Sequence, residues 1–458
     1  ILHSRFAGND APGGCAIALA VSNAPDHPFR VTESLFSGVC PGQQVQQSDN
    51  TLALDGNSFA GAAIATQGTA RLLRNAFDGA GGASCTASGP GALLSLGWNI
   101  AIDSSCQLTG ENDQPSADPL LSPVDSQGFM TPLAGSPAVD IGPESLLTGD
   151  DDAEPQLPCY WKDATGLGRP QDGNDDGRFE CDAGAVETAG TGRVEAGHSG
   201  AFYNSLRNGE GVYIEILENG GAVIYTFSYR PDGSGPAWLL GLADVVGNSL
   251  VTTALVRPEG AVFGEEFNSA DISFRDWGGM SVVFPDCAAG DRPGNMAYSG
   301  NREQDYEPLI TRARRISNIA GCEGGAEAPV ANAGLSGSFY DPARNGEGLI
   351  VEWLTDGRVL AIFFTYDPAG GQMWLFGAGQ PEGRSVTIDA LYPTSFTAWG
   401  ETFDPEDVEL SPWGSMSLAY SDCDHLTFSY QSTVEGYGSA VREYSRLSKL
   451  EGLDCPAE

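Results

Sequence analysis

The residues whose types and spacing bear most directly on chemistry lie near position 175. Asp172, Asn174 and Asp176 alternate along the chain and are followed by Gly177, giving D-x-N-x-D-G. A calcium loop of the EF-hand type needs oxygen ligands at alternate positions and a glycine for its tight turn. Arg178 would add a backbone carbonyl. The full pattern requires a Glu where Ala183 stands, and Asp182, one position earlier, is the nearest substitute. One expectation is therefore calcium held by Asp172, Asn174, Asp176, Arg178 and Asp182. The competing expectation is an acidic surface loop whose Asn and Asp side chains form turns. The run Asp150, Asp151 and Asp152 is a weaker candidate of the same kind.

A second set of residues occurs twice. Arg207 and Glu210, within R-N-G-E-G, return as Arg344 and Glu347. Such a pair either holds a turn through an Arg–carboxylate contact or meets a ligand at a barrel mouth. Tyr203, Tyr229, Trp238 and Trp277 return as Tyr340, Tyr366, Trp374 and Trp413. Aromatic residues at strand positions usually belong to the core. Trp277 and Trp413 follow a polar stretch and precede a glycine turn, so they are the better surface candidates, suited to stacking on a sugar or a partner protein. The candidate ligand or partner set is Arg207, Glu210, Trp238 and Trp277 with their counterparts Arg344, Glu347, Trp374 and Trp413.

Catalytic patterns are scarce. The four histidines do not recur at matching places in the duplicated region, and no H-E-x-x-H spacing is present. Neither a G-x-S-x-G elbow nor a phosphate-binding glycine loop with Lys occurs. Acidic residues are abundant, so a polysaccharide lyase or glycosidase using paired carboxylates is the enzymatic alternative. No pair stands out, and a non-catalytic protein is expected. A formal net charge of −38 argues against nucleic acid as a partner, because phosphate binding needs a basic surface.

The elements that must carry these residues are β-strands. SGAFYNSLRNGEGVYIE and SGSFYDPARNGEGLIVE open two copies of one unit, 137 residues apart in numbering. YTFSYRPDGSGPAWLLG matches IFFTYDPAGGQMWLFG, FGEEF matches WGETF, and DWGGMSVVFPDC matches PWGSMSLAYSDC. Agreement along the whole unit marks a duplication. Short β-branched and aromatic runs separated by NGG and PDGSG turns predict antiparallel hairpins in each copy, closed as a barrel or paired as a sandwich. The copies are expected at 199–322 and 336–458, with small polar linkers at 188–198 and 323–335. They resemble a repeat of secreted gammaproteobacterial proteins that opens G-x-[WF]-Y-[ND]-x-x-R-x-G-x-G. That resemblance implies export and assigns no particular activity.

Residues 1–187 have another texture. RFAGN, SLFSG, NSFAG and NAFDG return every few tens of residues, each a short apolar strand beside Asn, Asp or Gly. This spacing predicts stacked strands of a right-handed parallel β-helix. GWNIA, DPLLSP, SPAVDIG and RPQDGNDDGRFECDAGAVE then close the segment. They resemble the C-terminal part of bacterial parallel β-helix surface proteins of the polymorphic-adhesin-like or choice-of-anchor type, which implies surface display. The fold class expected for the chain is thus all-β, a right-handed parallel β-helix followed by two tandem antiparallel barrels or sandwiches. The opening ILHSRFAGND reads as the middle of a strand, so a preceding segment is expected to have been removed.

The cysteine count is ten, with no C-x-x-C pair. Cys287 and Cys322 sit where Cys423 and Cys455 sit in the second copy. Spacing then pairs Cys15 with Cys40, Cys85 with Cys106, Cys159 with Cys181, Cys287 with Cys322 and Cys423 with Cys455. Each bridge would contribute roughly 3–4 kcal/mol. Oxidised cysteines imply an extracellular or cell-surface location. No apolar run is long enough to span a membrane. Three functions remain: a surface adhesin or stalk, including a homopolymer that stacks head to tail; a polysaccharide-active enzyme; and a pair of carbohydrate-binding modules. The partners expected are other copies of the chain, or a surface glycan or protein.

Overall fold

The computed structural model describes residues 5–7, 17–19, 29–32, 34–37, 45–47, 52–60, 64–66, 69–79, 83–87, 92–142, 159–285, 287, 294–322, 328–395 and 397–456. Among these, every helical segment is a three-residue 3-10 turn, and strands, turns and irregular chain make up the rest. The chain forms two compact units, Ile1–Thr191 and Gly192–Glu458.

In the first unit the recurring N-x-F stretches stack in register. Leu35–Ser37, Ser58–Ala60 and Ala76–Asp78 pair in parallel, with Phe36 opposite Phe59 and Phe59 opposite Phe77. The three rings stack at 4.8 Å intervals inside the core. Side chains of a strand alternate between faces, so Leu35, Ala76 and Ile100 point the other way, into a second cluster with Leu121, Met130, Ala138, Ala183 and Ala185. At each turn an asparagine serves the next layer. The amides of Asn57 and Asn75 donate to Asn75 Oδ1 at 3.0 Å and to Asn99 Oδ1 at 2.9 Å, and Asn99 donates to Asp113 Oδ1 at 2.9 Å. This ladder is why Asn recurs there: a buried turn needs an acceptor for each orphan N–H.

The expectation of a right-handed parallel β-helix over 1–187 is corrected. Among the described residues the segment holds three small parallel sheets, of six, four and four strands. Parallel pairing ends at Gln114–Pro115. Beyond it, Pro115, Pro119, Pro123, Pro132 and Pro137 remove ladder donors at close intervals. The described chain there is held by bridges, turns and the Cys159–Cys181 disulfide instead.

The second unit holds two closed eight-stranded antiparallel barrels. The first runs from Gly200–Tyr203 to Leu309–Arg315 and closes where Phe202 pairs with Arg315. The second runs from Gly337–Tyr340 to Ser439–Arg446 and closes where Phe339 pairs with Arg446. Closure leaves no free sheet edge. The disulfides Cys85–Cys106, Cys287–Cys322 and Cys423–Cys455 are also formed. Cys15 and Cys40 lie outside the described residues, as do Asp150, Asp151 and Asp152.

The two barrels pack as a pseudo-twofold pair. Phe227 and Phe364 hold equivalent places in the two copies and stack on each other, 5.0 Å apart and 10° from parallel. Around them several contacts have a mirror. Trp399 of the second copy enters the core of the first barrel, beside Trp277, Tyr298 and Tyr306. Phe263, its counterpart, enters the second barrel beside Trp413, Tyr430 and Tyr437. Each barrel is thus plugged by an aromatic ring from the other. Such isologous reciprocity is what a symmetric homodimer shows, here within one chain.

Candidate functional site

The repeated Arg–Glu pairs sit at this junction. Arg207 and Glu210 form an i,i+3 ion pair, and Ser228 Oγ donates to the other carboxylate oxygen at 2.7 Å. Arg207 is 1% exposed; it also donates to Gly400 O at 3.1 Å and lies over the Phe403 ring at 4.3 Å. The mirror holds. Arg344 pairs with Glu347 and lies over the Phe267 ring at 4.0 Å. Glu347 also takes Arg442 and, at 2.9 Å, Thr365 Oγ1.

The glycine between these residues is part of the same packing. Gly209 has φ +114°, and a Cβ there would fall 2.7 Å from Val408. Gly346 has φ +113°, and a Cβ there would fall 2.0 Å from Ile272. Only a residue without a side chain lets the opposite copy approach so closely. R-N-G-E-G is therefore identical in both copies because both use it to dock.

The tryptophans are placed differently from their expectation. Trp277 and Trp413, expected to be the better surface candidates, are 0% and 1% exposed inside the barrels. Trp277, within Ser273–Val283, and Trp413, just before Gly414–Tyr420, both face the barrel interior, where the plugging rings meet them. Trp238 and Trp374 line the junction: Trp238 Nε1 donates to Thr365 O at 3.4 Å, and Trp374 meets Tyr229 edge-on at 5.9 Å. All four are buried, and Trp374 borders the junction cleft.

The acidic loop is also spent on its own backbone. Asp172 accepts from Gly177 N, Asn174 from Asp176 N, and Asp176 from Arg178 N. Asp182 is fully buried and accepts from Asp140 N at 2.8 Å and Thr188 N at 2.6 Å. Among the described residues, Asp172, Asp176 and Asp182 do not bring their oxygens within 4.8 Å of one another. In this loop the Asp and Asn side chains form turns. One group of potential metal ligands does meet that distance, Glu195, His198 and Cys287. Cys287 is committed to its disulfide, so it offers no thiolate.

Two clusters of buried carboxylates were not legible in the sequence. In the first unit, Glu187 pairs with the buried Arg169 at 2.7 Å and accepts from Gln171 N and Asp182 N. Burial, then the neighbouring Glu187, pushes Asp140 up to about 8 and holds Asp182 well above the carboxylate range. In the second unit, Glu215 accepts from Ser338 Oγ at 2.8 Å and Glu352 from Ser317 Oγ at 2.7 Å, each reaching across to the other copy. Burial pushes Glu215 up to about 7 and Glu352 up to about 8. Raised carboxylates can mark an acid–base site. Both of these are 0% exposed, so a substrate has no access to them.

The junction also holds a cleft of about 350 Å³, lined mainly by apolar side chains of both copies, with Tyr203, Asn208 and Glu210 among them.

No family model matches the chain, and no curated protein matches it. Two solved structures are similar over part of it. One is the isotype 1 transferrin binding protein B from serogroup B Neisseria meningitidis, at 7% identity, covering 61% of this chain and 73% of that one, with a TM-score of 0.17. The other is a protein of unknown function of the DUF3598 family from Nostoc punctiforme PCC 73102, at 12% identity, covering 55% and 96%, with a TM-score of 0.10. Scores this low carry no argument about function. The resemblance to parallel β-helix surface proteins joined to a gammaproteobacterial secreted repeat is corrected by these findings: small parallel sheets and two closed barrels stand in its place.

Proposed function

We propose that the chain is an exported, non-catalytic surface or structural protein in which residues 192–458 act as one rigid double-barrel module. The observation that carries this reading is the use made of the repeated residues. Arg207, Glu210, Trp238 and Trp277, with their counterparts, join or fill the barrels, and of them Glu210 and Trp374 also border the junction cleft. Four disulfides are compatible with an oxidising compartment. No helix among the described residues is long and apolar enough to cross a membrane. An adhesive or stalk role fits a locked module better than catalysis, which draws on mobile and accessible groups.

Two measurements test it. The protein in the cells that make it should be cleaved by protease added to intact cells, with its cysteines oxidised. Purified protein should release no reducing ends from a panel of neutral and acidic polysaccharides. Reduced protein confined to the cytosol, or polysaccharide cleavage, overturns the proposal. Electron microscopy of the same material separates a monomeric module from a head-to-tail filament.

A further inference from the structure

We infer that the cleft at the barrel junction is a binding site for one neutral, apolar small molecule, and that its pseudo-symmetric mate has been filled by Tyr225. The 350 Å³ of the cleft falls within the roughly 300–1,000 Å³ typical of small-molecule sites. Its walls include Ile362, Trp374, Phe376 and Val408, and its rim carries Ile316 and Leu410, which are 60% and 51% exposed. Large apolar side chains left open beside a cleft mark a place where something apolar binds.

The walls are mainly apolar, with Tyr203, Asn208 and Glu210 supplying the polar side chains. The Glu210 carboxylate is held by Arg207 and by Ser228 Oγ. A sugar brings many hydroxyls, each of which would lose water without gaining a partner. An anionic ligand meets a chain of net charge −38. A neutral apolar molecule meets neither cost.

Comparison of the two halves isolates the residue responsible. Ile362 occupies in the second copy the place of Tyr225 in the first, within IFFTY and YTFSY. At the mate position the Tyr225 ring stacks on Phe364 at 5.3 Å, and its hydroxyl is 2.8 Å from Ser338 Oγ. Tyr225 is 7% exposed, so it fills the space that the shorter Ile362 leaves open opposite Phe227. The duplication has kept one cleft and closed the other.

The test is a fluorescence titration of the whole chain with the neutral probe N-phenyl-1-naphthylamine. One probe should bind per chain. Ile362→Tyr should abolish binding, and Tyr225→Ile should raise the stoichiometry to two. Leu410→Arg changes an exposed rim residue and preserves folding; it should weaken binding roughly tenfold or more by placing a charge at the mouth. The inference is overturned if the native chain binds no probe, if Ile362→Tyr (shown to be folded) and Leu410→Arg both bind it as the native chain does, or if laurate binds more tightly than the neutral probe.

Discussion

Replacing Trp399 with Ala should destabilise the first barrel, although Trp399 belongs to the second copy. Trp399 is 4% exposed and meets Trp277, Tyr298 and Tyr306 edge-on at 5.5, 5.0 and 5.4 Å. Its Nε1 donates to Glu307 O at 2.9 Å. Truncating a buried Trp costs about 3–5 kcal/mol, the loss including both transfer and the cavity left behind. Edge-on aromatic pairs are worth about 0.5–1.5 kcal/mol each beyond buried area. With three of them lost, the upper end of the first range is expected. Hydrogen exchange read by mass spectrometry locates the effect. Amides of Ser273–Val283, Gly294–Tyr298 and Leu309–Arg315 should exchange faster, and those of Gly414–Tyr420 and His425–Ser432 should change little. Phe263→Ala should give the opposite map. Faster exchange confined to the barrel that carries the substitution would refute the exchange of plugs, as would a loss below about 1 kcal/mol, the size of an ordinary surface change.

Further outcomes follow from other features. Glu215 and Glu352 are raised from 4.5 to about 7 and about 8, so the folded state binds protons that the unfolded state has released. Their contribution is present in full below about pH 4.5 and is lost as pH rises through about 7–8, so denaturant midpoints should fall between pH 5 and pH 8. Glu215→Gln with Glu352→Gln should flatten that fall; an unchanged slope would exclude these groups as its source. Gly346→Ala forces a strained φ and a 2.0 Å approach to Ile272, and should cost about 1–3 kcal/mol in urea unfolding. Asn75→Ala removes the acceptor for the Asn57 amide and should cost about 1–3 kcal/mol for each buried group left unpaired, measured as melting of the first unit. Saturating calcium should leave the melting temperature unchanged, whereas a gain of about 2.7 kcal/mol, expected at a hundredfold excess over Kd, would restore the calcium reading of Asp172, Asn174 and Asp176.

Much of the fold could be read from local pattern. Alternation and turn residues announced the hairpins of both copies, and paired cysteine positions announced two of the disulfides, because these depend on near neighbours. N-x-F-x-G announced stacked strands, and Phe36, Phe59 and Phe77 stack. What the pattern could not show was where the stacking stops, since short apolar segments beside turn residues, such as DPLLSP and SPAVDIG, continue after Pro115. The placement of Trp277 failed for a related reason. A polar stretch before it signals exposure only if nothing else covers the barrel mouth, and Trp399 does so from far along the chain. FGEEF and WGETF were visible as matching segments, but the sequence holds no sign that each serves the other copy. Glu215 and Glu352 were hidden because a carboxylate in a strand looks solvated until its neighbours are known.

The exchanged plugs also set an order of events during synthesis. The first barrel has all its strands once Arg315 has been made, yet the ring that fills its core is Trp399. Trp399 lies 92 residues after Glu307, the carbonyl to which it donates. At about 5–20 residues per second, those residues take on the order of 5–20 s to appear. Through that interval Trp277, Tyr298 and Tyr306 stand uncovered, and the nascent chain carries an aromatic cavity open to any passing apolar surface. A stop codon between the copies would therefore release a half whose aromatic core lacks its filling ring.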